Sequence, residues 1–131
     1  MIAAWLGVWT LTTVLSSDPS VPGQYKRGTK DIDQADSVVT IVDDLVRARG
    51  GVLHAEWTGT LDGRESPVEG VDVSLTSAYR QIDDHTIDVT QKLDGQVAVR
   101  ARWVLSPDGS TLTVTSTGAA TGTEIYKKAS P

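Results

Sequence analysis

The chain has 131 residues, the length of one ordinary domain, and carries a formal net charge of −5. It contains no cysteine, which excludes disulfides, thiolate metal sites and cysteine nucleophiles. The mild negative charge disfavours a phosphate-tracking surface, and no apolar run of about 18 residues is present to span a membrane. We therefore expect a single domain over residues 1–131, with no nucleic-acid partner and no membrane span.

The opening segment AWLGVWTLTTVLSS, residues 4–17, admits two interpretations. As a secretion signal it would be removed and the protein exported; as a strand it would place Trp9 in the folded core. A signal has basic residues before its apolar core, whereas the first basic residue here is Lys26, and hydroxyl side chains interrupt the apolar run. A strand at 7–15 and a cytoplasmic location are therefore expected, with export as the alternative if residues 1–17 act as a signal.

Most of the remaining chain alternates apolar and polar residues with a period of two, which is typical of half-buried antiparallel strands. Further strands are predicted at 25–33, 37–47, 52–60, 71–82, 86–93, 96–105, 111–117 and 122–128. Turns rich in Asp, Gly and Pro are predicted at 61–64, 83–86, 93–96 and 106–110.

Two segments do not follow the alternation clearly. The stretch at 16–23, with two prolines, is predicted as a loop, and the stretch at 43–51 is either a bent strand or a short helical turn. Consecutive hairpins of this kind tend to close and so remove exposed strand edges. The predicted fold is all-β, an up-and-down antiparallel β-barrel of 8–10 strands.

Several segments resemble a known family. GVWTL near the start is similar to the Gly-x-Trp signature of lipocalins and fatty-acid-binding proteins. The segments TGTLDGRESPVEG, YRQIDDHTIDVTQKLDGQ, VLSPDGSTLTVTSTG and EIYKK together resemble bacterial lipocalin-like proteins, over nearly the whole chain. The resemblance implies a lipocalin-like barrel that encloses a small-molecule cavity.

The resemblance also implies roles for individual residues. In lipocalins the first-strand tryptophan seals the closed end of the barrel, a role that falls here on Trp9, although the last strand, GTEIYKK, lacks the usual arginine partner. Fatty-acid-binding proteins hold the ligand carboxylate with an Arg-x-Tyr pair near the end of the chain. Here Glu124 stands in the place of that arginine, followed by Tyr126, so the resemblance does not extend to a fatty-acid headgroup clamp.

The alternation predicts which side chains face the barrel interior. The inward apolar set, which forms either core packing or a cavity wall, comprises Trp57, Trp103, Leu53, Val99, Val89 and Leu75. Inward polar groups need partners, because a buried hydroxyl or amide without one costs about 1–3 kcal/mol; these groups are Ser77, Tyr79, Gln81, Gln91 and Ser116. The predicted ligand-binding residues are Trp57, Trp103, Tyr79, Gln91, Tyr126, Leu53 and Val99.

Two functions fit this interior. The first is binding of a small, largely apolar ligand in the cavity, with polar anchors at Tyr79, Gln91 and Tyr126. The alternative is a cofactor-free enzyme, a cyclase or isomerase of bacterial specialised metabolism, whose catalytic candidates are Glu124, Tyr126 and Tyr79. A barrel filled by its own side chains would instead act through its surface.

No cofactor and no metal site is predicted. The two histidines, His54 and His85, are expected on the surface, and the DDH stretch at 83–85 offers too few ligands for a metal ion. No Gly-x-Ser-x-Gly elbow and no phosphate-binding glycine loop occurs. Three arginines are expected as solvated charges on the outer face: Arg80, Arg100 and Arg102. The sequence carries no signal of oligomeric state.

Overall fold

The computed structural model describes residues 3–15, 25–48, 50–71, 74–118 and 121–129, and over these ranges it forms a closed barrel of ten antiparallel strands. Each strand pairs with its neighbours in the chain, and the first strand pairs with the last. The strands are β1 Gly7–Leu15, β2 Tyr25–Ala35, β3 Val38–Arg47, β4 Val52–Gly59, β5 Asp62–Glu69, β6 Leu75–Asp83, β7 Thr86–Leu93, β8 Gln96–Leu105, β9 Thr111–Gly118 and β10 Gly122–Lys128. The all-β, up-and-down barrel is confirmed. No helix in the described ranges has the length and apolar character needed to cross a membrane.

The opening apolar segment belongs to the barrel. Strand β1 pairs with β2 on one side and with β10 on the other, and Trp9 is fully buried. The strand predicted at 7–15 is confirmed at both ends. The predicted loop at 16–23 lies outside the described residues.

Short turns join the strands where Asp and Gly interrupt the alternation. Between β7 and β8, Asp94 and Gly95 have φ angles of 50° and 81°, the two positive φ values of a type I′ hairpin turn. Between β6 and β7, the carboxylate of Asp83 accepts a hydrogen bond of 2.8 Å from the backbone N–H of His85. These local bonds fix the short reversals that the antiparallel pairing requires.

Two of the register shifts in the described strands change which side chains face inward relative to the sequence pattern. A bulge in β1 reverses the faces after Leu11, so Val14 packs against the core and Leu15 is exposed. A second bulge between β7 and β8 pairs Gln91 with Val99 but the next residue, Lys92, with Val97. Val97 therefore leaves the inward face that it would share with Val99 in a regular strand, and it is exposed.

Strand β5 begins inside a segment that is predicted from the sequence as a turn. The segment at 61–64 is predicted as a hairpin turn, but the chain already reverses at residues 60–61 and β5 begins at Asp62. Its sequence, DGRESPVE, has no apolar alternation and contains Pro67, so neither feature predicts a strand. The stretch at 43–51 is resolved in favour of a strand, since β3 continues to Arg47.

One end of the barrel is closed by a short N-terminal 3-10 helix. Trp5 of this helix is fully buried, and its indole N–H donates to the carbonyl of Asp84 at 3.0 Å. The indole N–H of Trp9 donates in turn to the carbonyl of Trp5 at 2.8 Å. The ammonium of Lys128 lies 5.4 Å from the centroid of the Trp9 ring and donates to the carbonyl of Ala4 at 3.1 Å. Trp9 thus lies at the closed end, as the resemblance implies, and a lysine of the last strand supplies the cation beside it.

Candidate functional site

A cavity of about 530 Å³ occupies the barrel interior toward the end opposite the N-terminal helix. The volume lies within the range of small-molecule sites, roughly 300–1,000 Å³. The barrel is therefore hollow rather than filled by its own side chains. The predicted ligand-binding residues that line the cavity are Trp57, Trp103, Tyr79, Gln91, Leu53 and Val99.

Three buried aromatic side chains form one part of the wall, which we call the aromatic cluster: Trp57, Tyr79 and Trp103. The ring centroids of Trp57 and Tyr79 are 4.3 Å apart, and Tyr79 meets Trp103 edge-on at 5.3 Å. The indole N–H of Trp57 donates to the backbone carbonyl of Ser77 at 2.8 Å. The cluster therefore presents fixed, flat apolar surfaces to the cavity.

The polar groups of the wall include one that is unusual. Ser77 is fully buried, and its hydroxyl has no hydrogen-bond partner among the described residues. It lines the cavity directly opposite Gln91 across the β6–β7 pair. Ser116, another polar residue that the alternation places inside, also lines the cavity, whereas Gln81 does not. The Ser77 hydroxyl is therefore positioned to bond a ligand or a trapped water.

Tyr126 and Glu124 share one face of β10, but only one of them meets the cavity. Tyr126 is fully buried and is absent from the lining, whereas Glu124 belongs to it. The Tyr126 hydroxyl donates to Oε1 of Glu124 at 2.9 Å, and burial, with a further contribution from the Glu124 carboxylate, raises the pKa of Tyr126 above its ordinary value. Tyr126 is thus outside the cavity lining, and its contact with a ligand stays a prediction. Tyr126 lies behind the wall, and its hydroxyl bonds to the lining residue Glu124.

An ion pair that the sequence analysis did not identify lies in the cavity wall. Lys30 of β2 and Asp43 of β3 are directly opposite each other, with Nζ and Oδ1 2.9 Å apart. The Lys30 side chain is only 7% exposed, and its ammonium lies 5.0 Å from the ring centroid of Trp103 and 5.1 Å from that of Tyr126. Both contacts are within the range of a cation–π interaction.

The electrostatics of this pair keep the ammonium charged. Burial opposes the charge, but the Asp43 carboxylate, followed by Tyr126, Tyr79 and Glu124, outweighs it, so the pKa of Lys30 lies well above its usual range. For the Tyr79 phenol, by contrast, burial raises the pKa, because the charged form of a tyrosine is the deprotonated one. At neutral pH the interior thus holds a protonated lysine and a protonated tyrosine, both of which are hydrogen-bond donors.

The signal for this pair was present in the alternation. Lys30 precedes Ile32 by two residues, and Asp43 stands between Ile41 and Leu45 with the same spacing. All three of those apolar residues are buried. Continuing the period of two through a charged residue would have placed both charges inside.

Charged groups at the cavity rim lie closer to solvent. His54 is exposed, as predicted, with its Nδ1 2.5 Å from a carboxylate oxygen of Asp44, and this hydrogen bond raises the pKa of His54. Arg47 is exposed and donates to the carbonyl of Val52 at 3.1 Å. His85 lies in the exposed β6–β7 turn. No group of three or more possible metal ligands occurs in the described ranges.

The predicted outer-face arginines are exposed: Arg80, Arg100 and Arg102. Arg102 holds Asp88 of the neighbouring strand through two hydrogen bonds of 2.7 and 2.9 Å. This pair is a surface contact, away from the cavity lining.

Known proteins resemble this chain in fold rather than in sequence. No model of a known protein family and no curated protein sequence matches the chain. Among solved structures, the fluorescent protein UnaG superposes with a TM-score of 0.70 at 18% identity, over 98% of this chain and 100% of that one. The REP1-NXSQ fatty acid transporter gives 0.70 at 15% identity over 98% of both chains. Fatty-acid-binding protein 1 of Echinococcus granulosus gives 0.69 at 13% identity, over 98% of this chain and 100% of that one. At such identities the likeness concerns the fold: the chain forms a closed antiparallel barrel similar to the barrels of these three proteins.

Proposed function

We propose that the protein binds a small, largely apolar molecule inside the barrel. The observation that carries the proposal is the cavity of about 530 Å³ with the aromatic cluster in its wall. Two structures of the same fold, a fatty acid transporter and a fatty-acid-binding protein, are named for apolar ligands, which supports the same use here. Burying about 300 Å² of apolar ligand surface contributes roughly 7 kcal/mol at 25 cal/mol per Å². Association costs several kcal/mol, so affinity in the micromolar range is expected.

A cytoplasmic location is part of the proposal. Strand β1 pairs on both sides and buries Trp9. Removal of the first 17 residues as a signal would therefore take one strand out of the closed barrel, which favours retention of the segment.

The catalytic alternative depends on Glu124. Its carboxylate lines the cavity and is held by the Tyr126 hydroxyl at 2.9 Å, which suits a positioned general base. Tyr79 would then serve as a donor, since its raised pKa keeps the phenol protonated. Incubating the protein with its extracted ligand distinguishes the two uses: a carrier returns the compound unchanged in mass and chromatographic retention, whereas a cyclase or isomerase returns a different isomer.

A neutral dye, Nile red, tests the cavity assignment without assuming a head group. Its fluorescence should rise on addition of the wild-type protein and saturate. Ala101 lines the cavity, so Ala101→Phe fills it and should weaken binding. The matched control is Val104→Phe, because Val104 of the same strand is exposed on the outer face. Equal dye affinity in the two variants would contradict binding in the cavity.

Truncation of the aromatic cluster gives a second test of the same proposal. Trp57→Ala and Trp103→Ala remove wall surface and should each weaken dye binding, provided that circular dichroism shows a folded barrel. Unchanged affinity in both variants would remove the cluster from the binding site. Native mass spectrometry of the purified protein, with analysis of its organic extract, identifies the class of any ligand retained.

A further inference from the structure

In the interior part of the cavity wall, negatively charged side chains outnumber positively charged ones. Lys30, Asp43 and Glu124 are the buried or half-buried charged residues of the lining. The other ionisable side chains of the lining, apart from the tyrosines, are exposed at the rim: Arg47, His54 and Glu56. One ammonium therefore faces two carboxylates in the interior. At neutral pH the formal charge of this group is −1.

Among the described residues that line the cavity, the one interior cation is already engaged. The Lys30 ammonium bonds to Asp43 at 2.9 Å and lies against the rings of Trp103 and Tyr126 at 5.0 and 5.1 Å. A ligand carboxylate would have to displace Asp43 to reach it, which would leave a carboxylate in the interior without its counter-ion. Such an exchange is unfavourable because unpaired buried charge is costly.

Glu124 is an interior carboxylate whose charge reaches the Lys30 ammonium but which forms no ion pair with it. Its Oε1 accepts a hydrogen bond from the Tyr126 hydroxyl, a neutral donor. The ion pairs found in the described part of the chain do not include Glu124. A carboxylate bound to a neutral donor still attracts a cation, and that attraction strengthens when a ligand excludes water.

A second polar group in the same wall also lacks a partner. The Ser77 hydroxyl is fully buried, lines the cavity and has no hydrogen-bond partner among the described residues. A hydroxyl accepts a hydrogen bond as well as donating one. The wall therefore offers acceptors at Glu124 and Ser77, while its ammonium is occupied.

Resting on the proposed function, we propose that the ligand of this cavity carries a cationic amine head group on an apolar body. The ammonium pairs with Glu124 and balances the interior charge, while the Ser77 hydroxyl of β6, several strands away in the barrel, remains open to a trapped water or a polar atom of the ligand body. The apolar body packs on the aromatic cluster. A carboxylate ligand of the same size adds a second uncompensated negative charge and is rejected.

Three compounds with one alkyl chain and different head groups test this directly: decylamine, decanol and decanoate, each used to displace Nile red at neutral pH. We expect decylamine to bind about ten-fold more tightly than decanoate, with decanol between them, since charge-assisted hydrogen bonds exceed neutral ones. Equal affinities, or tighter binding of decanoate, would overturn the head-group assignment while leaving the cavity proposal intact. Failure of the protein to bind Nile red at all would contradict the cavity proposal itself.

The conservative variant Glu124→Gln tests whether the Glu124 carboxylate causes the preference for an amine head group. Glu124→Gln keeps an oxygen for the Tyr126 hydroxyl but removes the charge, so decylamine should lose about ten-fold in affinity while decanol changes by less than about two-fold. The matched control is Glu69→Gln, an exposed residue of β5 that lies outside the cavity lining and should leave all three affinities unchanged. Equal losses for all three compounds in Glu124→Gln would show a structural role and overturn the assignment. The comparison of the three compounds on the wild-type protein stands even if the variant does not fold.

Discussion

Replacement of Asp43 by asparagine measures how much the interior ion pair contributes to folding. The side chain of Lys30 is 7% exposed, and among the described residues Asp43 is the carboxylate within ion-pair distance. An asparagine preserves the shape but leaves the ammonium buried without a counter-ion. Removing one partner of a buried pair costs about 3–5 kcal/mol. Asp43 is 19% exposed and borders the cavity, so we expect the lower value, about 3 kcal/mol.

Two further variants separate this cost from a general loss of packing. The double variant Lys30→Met/Asp43→Asn removes the orphaned charge together with its partner, and most of the lost stability should return. The surface control is Asp88→Asn, which breaks the exposed contact with Arg102. Its expected cost is below about 1 kcal/mol, since solvent screens the pair.

The assay is equilibrium unfolding in urea, followed by tryptophan fluorescence, on the wild type, Lys30→Met, Asp43→Asn and the double variant. These four proteins form a double-mutant cycle that isolates the interaction of Lys30 with Asp43. Two results would refute the reasoning: Asp43→Asn costing no more than Asp88→Asn, or a double variant less stable than Asp43→Asn alone.

Two other predictions concern the backbone and the turns. Gly28 has a φ of 149°, and an added Cβ would lie 2.4 Å from the carbonyl oxygen of Asp44. Gly28→Ala should therefore lower the free energy of unfolding in urea by more than about 2 kcal/mol. The control is Gly95→Ala, where φ is also positive but the space is open, and its expected cost is about 1 kcal/mol. Equal costs would count against the steric explanation. Hydrogen bonds from Ser106 and Ser110 lower the pKa of Asp108 from 3.8 to about 2. Because the folded-state pKa is depressed, the stabilisation is present above 3.8 and is lost as the pH falls toward about 2. The melting temperature of Asp108→Ala should thus lie below that of the wild type at neutral pH and approach it near pH 2; a constant gap would contradict the assignment.

The strand pattern was predictable wherever a strand buries one face. Strands β7 and β8 match their predicted limits, 86–93 and 96–105, because apolar residues alternate along both. Strand β5 was missed for the opposite reason: no residue of it is fully buried, and only Ser66 and Val68 are half-buried, so the period of two leaves no apolar trace. Its position follows from pairing with β6, a tertiary contact that its own composition does not encode.

The aromatic cluster of the site was predictable by the same alternation. Predicting the ion pair between Lys30 and Asp43 also requires the register of strands β2 and β3. Charged residues in a strand usually mark the solvent face, and this expectation opposes the period of two that places Lys30 and Asp43 inside. Their meeting is decided by the β2–β3 turn at residues 36–37, since paired residues are equidistant from it. The strand limits predicted from sequence, 25–33 and 37–47, place the turn earlier and so leave the two charges unmatched.

The position of this pair also decides what chemistry remains for a ligand. The Lys30 ammonium is bonded to Asp43 and contacts two aromatic rings, so it contributes to the stability of the barrel. Glu124 is then the interior charge that a ligand can reach. Asp43→Asn and Glu124→Gln each remove one negative charge, yet the first should change mainly the stability and the second mainly the ligand selectivity. Asp43→Asn should lower the free energy of unfolding, because it orphans a buried ammonium, whereas Glu124→Gln should leave that free energy nearly unchanged and alter the order of affinities for amine, alcohol and carboxylate. Were Glu124→Gln the more destabilising of the two, Glu124 rather than Asp43 would be the structural counter-ion of Lys30, and the charge left for a ligand would be that of Asp43.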